Sequence, residues 1–231
     1  FGVLFLKPYA LKLHLTGPSN HQLKDTITNR NDLGIDYYDL SNIYLALGDF
    51  ENTIKYLRES ERFYPGPSIN FQLGNILYDQ GQLEEAIIET HKAIIGASSD
   101  FKNKDFSKNP SDYETYIDDE HASIFLHSKG YFLYDLGEQK RDIAILESAI
   151  ETANLSLMLL ERSWQKTKGF NNARFSFNRD MISTLTTVMI SQALIYELEP
   201  SDENFDKYFE ATERLKGLQL IETLSPSPLP E

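Results

Sequence analysis

Histidine is the residue of this 231-residue chain best suited to bind metals or transfer protons, but its spacing forms no known catalytic motif. The five histidines are His14, His21, His91, His121 and His127. No pair occurs in an HExxH pattern, and the absence of cysteine excludes disulfides, thiolate metal sites and a cysteine nucleophile. His121 and His127 are six residues apart, which places them on different faces of a helix. The sequence predicts no metal site and no cofactor.

Other catalytic patterns are also missing. The chain has no G-x-S-x-G turn for a serine nucleophile and no glycine-rich phosphate loop. Its paired acids, Glu84–Glu85 and Asp118–Asp119, are adjacent and point apart on a helix, so we expect them to be solvated surface residues. These observations predict a protein that is not an enzyme, although an enzyme with an unrecognised site stays an alternative.

The net charge of −13 limits the partners that the chain can bind. A phosphate backbone or an anionic membrane surface would be repelled, so we expect neither nucleic acid nor membrane as a partner. There is no run of 18 apolar residues and no signal-peptide pattern at the N-terminus, and the lack of cysteine fits a cytoplasmic protein. Because the chain begins with Phe1 rather than Met, we expect it to be part of a longer protein.

A repeat of 33 residues organises the first half of the chain. The segments Ile35–Pro65 and Ser68–Ile94 align without gaps, and each contains a glycine, Gly48 and Gly81, at the same place. A third copy follows, with Gly137 as its glycine. Each copy predicts two helices joined at the glycine, because glycine adopts the left-handed conformation that ends a helix at little cost.

The first copy shows most clearly why helices are expected. Tyr37, Leu40 and Tyr44 recur at helical spacing and form one apolar stripe. Asp49 follows Gly48 and is predicted to cap the second helix. Small residues are expected where the two helices approach each other closely.

These residues resemble the tetratricopeptide (TPR) family. The family pattern is matched in the first copy by Tyr37, Leu40, Ser41, Tyr44, Gly48, Thr53, Leu57, Ser60 and Pro65. In the third copy, Asp142 falls where the pattern has alanine. The resemblance implies an all-α fold, a right-handed α-solenoid of antiparallel helix pairs that forms a single domain over residues 1–231. The repeats are expected at about 34–66, 67–95, 121–165 and 177–224.

Three segments fall outside this pattern. Residues 96–120 are polar and lack sustained periodicity, and we interpret them as a long connecting loop, a mobile spacer rather than a functional segment. Ala10–Leu15, in the poorly patterned region 1–30, alternates as a strand would; we favour the second helix of a preceding repeat, with a strand as the alternative. Residues 139–165 predict one long helix, and the prolines of 225–231 predict an extended tail.

The last helical segment carries a second resemblance. Tyr208–Leu224 is similar to the final TPR helix of proteins that carry a CHAT-type caspase-like protease domain, although Gly217 replaces the usual alanine. The matching residues are Glu210, Glu213, Arg214, Lys216 and Leu220. The resemblance implies a protease domain after Glu231 in the longer protein.

In TPR proteins the first helix of each pair lines a concave groove that binds a protein or peptide. The corresponding residues here are Tyr38, Asn42, Leu45, Phe71, Asn75, Tyr78, His127, Tyr131 and Tyr134. For each of these positions, packing against a neighbouring helix is the alternative. Tyr38 stands where carboxylate-clamp TPRs have lysine, so a chaperone-tail clamp is not expected. The predicted function is a non-catalytic interaction array that regulates or docks partners for a linked protease, with a free-standing adaptor as the alternative.

Overall fold

The chain folds as an all-α solenoid in which successive antiparallel helix pairs pack side by side. The computed structural model describes residues 27–111, 116, 119–166 and 171–224. These ranges contain eight helices and no strand, apart from a single bridge between Ser98 and Tyr116. The predicted fold class is confirmed. The helix expected at Ala10–Leu15 and the tail at 225–231 lie outside the described residues.

The helices form four consecutive pairs. They are α1 (Ile27–Ala46), α2 (Phe50–Phe63), α3 (Pro67–Asp79), α4 (Leu83–Ala97), α5 (Asp119–Lys140), α6 (Ile143–Lys166), α7 (Asn171–Leu198) and α8 (Asp202–Leu224). Each odd-numbered helix packs along the helix that follows it, and each pair also packs against the next pair. Because no pair can bury both of its faces alone, stacking creates the continuous core.

Two glycine turns have the geometry that the sequence predicts. Gly48 and Gly81 have φ angles of 70° and 74°, in the left-handed region where a side chain is unfavourable. Asp49 then caps α2, and its carboxylate accepts a hydrogen bond from the backbone N–H of Asn52 at 3.2 Å. The first two helix pairs therefore turn where the repeat places its glycine.

The third pair turns four residues later than the sequence predicts. Gly137 lies inside α5, and the residue with positive φ is Arg141, at 51°. A Cβ on Gly137 would lie 2.8 Å from a methyl group of Leu146, so this glycine permits the close approach of α5 and α6. Asp142 caps α6 by accepting hydrogen bonds from the backbone N–H groups of Ala144 and Ile145. The prediction of a turn at Gly137 was therefore wrong, and the long helix predicted over 139–165 is present but begins four residues later, at Ile143.

Small residues occupy the contacts between helices, as expected. Thr53, Ser60, Ala86 and Ala93 are fully buried. Ser60 donates its hydroxyl hydrogen to the carbonyl of Gly34 at 2.8 Å, which satisfies a polar group at the contact between α1 and α2. Larger apolar residues fill the spaces between pairs; Leu57, Leu73 and their neighbours form one such cluster at the junction of the first two pairs.

The connection between the second and third pairs is packed onto the helices. Residues 98–111 and Tyr116, which we call the docked loop, place Phe101 and Tyr116 in an apolar cluster with Ala93 of α4 and Leu126 of α5. The interpretation of this segment as a mobile spacer was therefore wrong for its described part. Residues 112–115, 117 and 118 lie outside the described part of the chain.

A buried lysine binds the docked loop. Lys129 of α5 is fully buried, and its Nζ lies 3.0 Å from the carbonyl of Lys108, 2.8 Å from Oδ1 of Asn109 and 3.3 Å from Nδ1 of His91. These three acceptors match the three protons of an ammonium group. Nε2 of His91 in turn lies 2.8 Å from the carbonyl of Asn103. The loop is thus anchored by polar bonds that its own sequence pattern did not reveal.

Ion pairs also connect helices to one another, α2 to α4 and α5 to α6. Nη2 of Arg58 on α2 lies 2.7 Å from Glu89 of α4, which joins the first two pairs directly. Asp119, at the start of α5, is buried and binds Arg162 and Lys166 of α6. Burial acts to raise the pKa of Asp119, but these two cations hold it below its usual range. The expectation that Asp119 is a solvated surface residue was therefore wrong.

Within the described ranges, two helices are long and apolar enough to cross a membrane by length and composition alone. They are Ile143–Lys166 and the Asn178–Leu198 part of α7. Half of the apolar stretch of the first and 39% of that of the second are buried inside the array. A helix that is buried between neighbouring helices of an array is apolar as well, so composition alone does not distinguish a core helix from a membrane-spanning helix.

Candidate partner-binding face

The first helices of the four pairs lie next to one another and form one continuous surface. This surface, which we call the A-helix face, consists of α1, α3, α5 and α7. Side-chain bonds join its helices in sequence: Gln72 of α3 donates to Asn42 of α1 at 2.9 Å, and Tyr78 of α3 donates to Asp135 of α5 at 2.5 Å. Between α5 and α7, Oγ1 of Thr184 lies 3.0 Å from Nδ1 of His127. Three of the predicted groove residues, Asn42, Tyr78 and His127, therefore bridge successive helix pairs.

The three predicted residues of the first pair contribute mainly to packing. Tyr38 and Leu45 are half-buried and contact the apolar cluster that contains Leu57 and Leu73. Asn42 uses its side-chain oxygen to accept the bond from Gln72. These positions support the face, and within the described residues the amide N–H groups of Asn42 and the hydroxyl of Tyr38 form no hydrogen bond.

The second pair provides one packed aromatic residue and one available amide. Phe71 is half-buried, and its ring centroid lies 4.7 Å from that of Phe125 on α5. Asn75 is also half-buried, and its amide forms no side-chain hydrogen bond within the part of the chain that the structure describes. Because an amide can both donate and accept, Asn75 is suited to bind the backbone of a peptide.

A group of tyrosines and carboxylates lies where α3 meets α5. We call Tyr78, Tyr131, Tyr134, Asp135 and Glu138 the tyrosine cluster. The ring of Tyr131 lies 5.9 Å from that of Tyr78 and 6.3 Å from that of Tyr134, and Tyr131 is 38% exposed. Tyr134 donates its hydroxyl hydrogen to Glu138 at 3.0 Å. The cluster therefore presents aromatic rings and carboxylates together on the A-helix face.

Burial, and after it nearby negative charge, shifts the pKa values of groups in the tyrosine cluster. Burial raises the pKa of Asp135; the hydrogen bond from Tyr78 opposes this shift, and the nearby charge of Glu138 adds to it. Burial and the bond to Glu138 raise the pKa of Tyr134 to about 12. Among the described residues, no lysine, arginine or histidine forms an ion pair with Asp135 or Glu138. These carboxylates thus lack a cationic partner within the described chain.

His127 joins two helix pairs. It is half-buried, with Thr184 bound at Nδ1 and Oγ of Ser183 lying 3.3 Å from Nε2. Burial lowers its pKa, and the charge of Asp180 partly opposes this shift. The sequence placed His127 in the groove, and the structure adds that both ring nitrogens already have partners on α7.

The sequence interpretation missed the two acids of the tyrosine cluster. Asp135 lies four residues after Tyr131, and Glu138 four residues after Tyr134, so each acid shares a helix face with a predicted groove tyrosine. That spacing is the signal that could have identified them.

An open hollow of about 600 Å³ lies on another side of the array, between the docked loop and α6. Its lining includes Asn109, Pro110, Glu151 and Met158. No residue of the tyrosine cluster lines this hollow, so it is separate from the A-helix face. Within the described ranges, no group of three or more His, Asp or Glu side chains is arranged to hold a metal ion.

Comparison with known families identifies one repeat. The family model for the tetratricopeptide repeat matches residues 37–66, which comprise most of the first helix pair. No curated protein sequence matches the chain significantly.

Comparison with solved structures supports the same fold over the whole length. BtubC (BKLC) from P. vanneervenii superposes with a TM-score of 0.60 at 11% identity, covering 99% of this chain and 78% of that one. A putative kinesin light chain from Podospora anserina with nearly identical TPR-like repeats superposes with a TM-score of 0.53 at 13% identity, covering 96% and 88%. At these identities the likeness establishes the fold, and the chain is a TPR-like solenoid.

Proposed function

We propose that this chain is a non-catalytic array that binds a protein or peptide partner on the A-helix face. The observation that carries the proposal is the combination, on that face, of an unbonded amide at Asn75 and an exposed ring at Tyr131. Tyrosine rings provide contact area at low entropic cost, and amides bind peptide backbone. The tetratricopeptide repeat at 37–66 adds support, because this repeat is an interaction module.

A more specific proposal is that the array docks partners or substrates for a caspase-like protease domain in the same polypeptide. Its support is the similarity of Tyr208–Leu224 to the last TPR helix of CHAT-containing proteins. The solvent-facing side of α8 also carries apolar rings: Phe205 is 46% and Phe209 is 54% exposed. Such rings are suited to pack against a further structural element.

The gene sequence beyond Glu231 tests the linked protease. A histidine and a cysteine in a caspase-like segment would support it, whereas a reading frame that ends near Glu231 would favour the free-standing adaptor. The adaptor alternative further requires that the isolated chain retains stable complexes without any downstream domain.

A pull-down with matched variants tests the binding face. The wild-type chain, immobilised and exposed to an extract of its source organism, should retain partners that Asn75→Arg and Tyr131→Ala lose. Asn154→Arg is the control, because Asn154 is an exposed asparagine on α6, outside the A-helix face. Circular dichroism and thermal melts establish that each variant is folded. If Asn75→Arg and Tyr131→Ala retain every partner, the proposal is wrong.

A further inference from the structure

We propose that the tyrosine cluster binds a lysine or arginine side chain from a basic segment of the partner. This inference rests on the proposed function and specifies the chemistry of the partner. It follows from three properties of the cluster: neighbouring aromatic rings, carboxylate oxygens without a hydrogen-bond partner, and no lysine or arginine paired with them within the described chain.

The rings offer a surface that attracts cations. Tyr131 is exposed, and its ring lies about 6 Å from two further tyrosine rings, at 5.9 Å from Tyr78 and 6.3 Å from Tyr134. An ammonium or guanidinium group over such rings is attracted to their negative faces, and arginine can also stack on them. The ring of Tyr78 is held in place, because it also stacks on Phe132 at 4.3 Å.

The carboxylates are oriented and still have free acceptor oxygens. Tyr78 occupies Oδ2 of Asp135, and Tyr134 occupies Oε1 of Glu138. The second oxygen of each carboxylate forms no hydrogen bond within the described chain, so two acceptors remain for a guanidinium or ammonium group. Hydrogen bonds of this charged kind are about twice as strong as neutral ones.

Among the described residues, no lysine or arginine of α3 or α5 is free to compete for the tyrosine cluster. The sequence of α3 contains no lysine or arginine. On α5, Lys129 is buried beneath the docked loop, and Lys140 pairs with Glu84 at 2.5 Å. A partner with a basic side chain can therefore supply the missing positive charge. An acidic segment would be repelled by the cluster and by the net charge of −13.

Peptide binding measured by fluorescence anisotropy tests the proposal. The probe is a fluorescein-labelled peptide of four Gly-Arg-Gly-Ser repeats, and a peptide with glutamate in place of arginine is its counterpart. The wild-type chain should bind the arginine peptide and not the glutamate peptide, with an affinity that falls as salt is added. Asp135→Asn/Glu138→Gln should weaken binding about tenfold, because both charged acceptors are lost.

Two matched controls separate this site from general attraction to an acidic protein. Glu151→Gln/Glu161→Gln removes the same amount of charge from exposed positions on α6 and should leave the affinity within about twofold of wild type. Tyr131→Ala should weaken binding about fivefold, whereas Tyr131→Phe, which keeps the ring, should not.

The following outcomes would contradict the proposal. The proposal is wrong if the arginine peptide does not bind, or if the α6 control weakens binding as much as the cluster variant does. If the arginine peptide does not bind while Asn75→Arg still abolishes partner capture, the proposed function stands and only the basic chemistry of the partner is wrong. If Asn75→Arg and Tyr131→Ala also retain every partner, both proposals are wrong.

Discussion

Nζ of Lys129 lies 3.3 Å from Nδ1 of His91, and this buried contact connects α5 to α4 beneath the docked loop. His91 fills its role as the neutral imidazole, with Nε2 donating to the carbonyl of Asn103 and Nδ1 accepting from Lys129. Protonation of Nδ1 would place two positive groups in contact. Burial and the charge of Lys129 accordingly lower the pKa of His91 to about 4.

This arrangement predicts that acid weakens the fold through His91. Between pH 6.5 and 4 the unfolded chain binds a proton that the folded chain excludes, so stability falls as the pH falls. The contribution is about 3 kcal/mol across that window. Urea denaturation at pH 7.5 and 4.5 measures it, and His91→Gln should lose less stability than wild type. The exposed His121→Gln should follow wild type; an equal acid loss in His91→Gln would contradict the prediction.

A second prediction concerns the anchor of the docked loop. Lys129→Met removes the donor to Lys108, Asn109 and His91 and leaves three acceptors without it, so we expect a loss of about 2–3 kcal/mol. The loop should also detach, and trypsin should then cleave after the exposed Lys102, Lys104 and Lys108 about tenfold faster. Lys140→Met is the control, since its exposed pair with Glu84 contributes little. Unchanged cleavage of Lys129→Met would show that other contacts hold the loop.

The positive φ angles at two helix turns predict that a substitution at Arg141 stabilises the chain and one at Gly48 destabilises it. Arg141 has a φ of 51°, so Arg141→Gly should relieve strain and stabilise the chain by about 0.5 kcal/mol. Gly48→Ala places a side chain at a φ of 70° and should destabilise it by about 1 kcal/mol. Arg141→Ala keeps the strain and should give no gain. Thermal melts measure all three, and stabilisation by Arg141→Ala would mean that the backbone is not the cause.

We expect the carboxylate of Asp135 to lower the stability of the fold while it strengthens binding of a basic partner. The pKa of Asp135 is raised above its ordinary value, so ionisation of its carboxyl destabilises the folded state. The free energy of unfolding therefore falls as the pH rises from the ordinary pKa of an aspartate through the raised pKa of Asp135. Asp135→Asn can still accept the bond from Tyr78 and should melt about 2 °C higher at pH 7. The gain should vanish in acid, where the wild-type carboxyl is protonated. The exposed Asp79→Asn should show no such gain, and a gain for Asp135→Asn that persists at low pH would contradict this account.

The sequence was informative wherever a residue type has few conformational alternatives. Gly48 and Gly81 ended their helices as predicted, because glycine adopts positive φ cheaply and the two copies align over 33 residues. Gly137 was misread because a glycine can also serve close helix contact, and its type does not distinguish the two roles. Nothing about the type of Arg141 indicates a left-handed turn.

Long-range bonds limited what could be predicted about the candidate site and the docked loop. Tyr78 was predicted to be a groove residue, but its bond to Asp135 spans 57 residues and depends on how the second and third pairs stack. Lysine is a surface residue in most settings, so the burial of Lys129 had no local signal. The aromatic stripe of the face could be predicted; its two carboxylates were missed although their four-residue spacing from Tyr131 and Tyr134 was visible, because only the structure shows their bonds to Tyr78 and Tyr134.

The four extra residues before Arg141 lengthen the third hairpin by about one helical turn, roughly 6 Å. At its tip, Lys140 pairs with Glu84 at the tip of the second hairpin, and Arg141 pairs with Glu197 near the tip of the fourth, at 3.0 Å. Exposed ion pairs therefore connect the hairpin tips along one edge of the solenoid, whereas apolar clusters hold the hairpins together elsewhere. Salt screens such exposed pairs. We expect the superhelix to loosen first along that edge as ionic strength rises, so that its pitch, and the spacing between ligand contacts on the A-helix face, varies with salt.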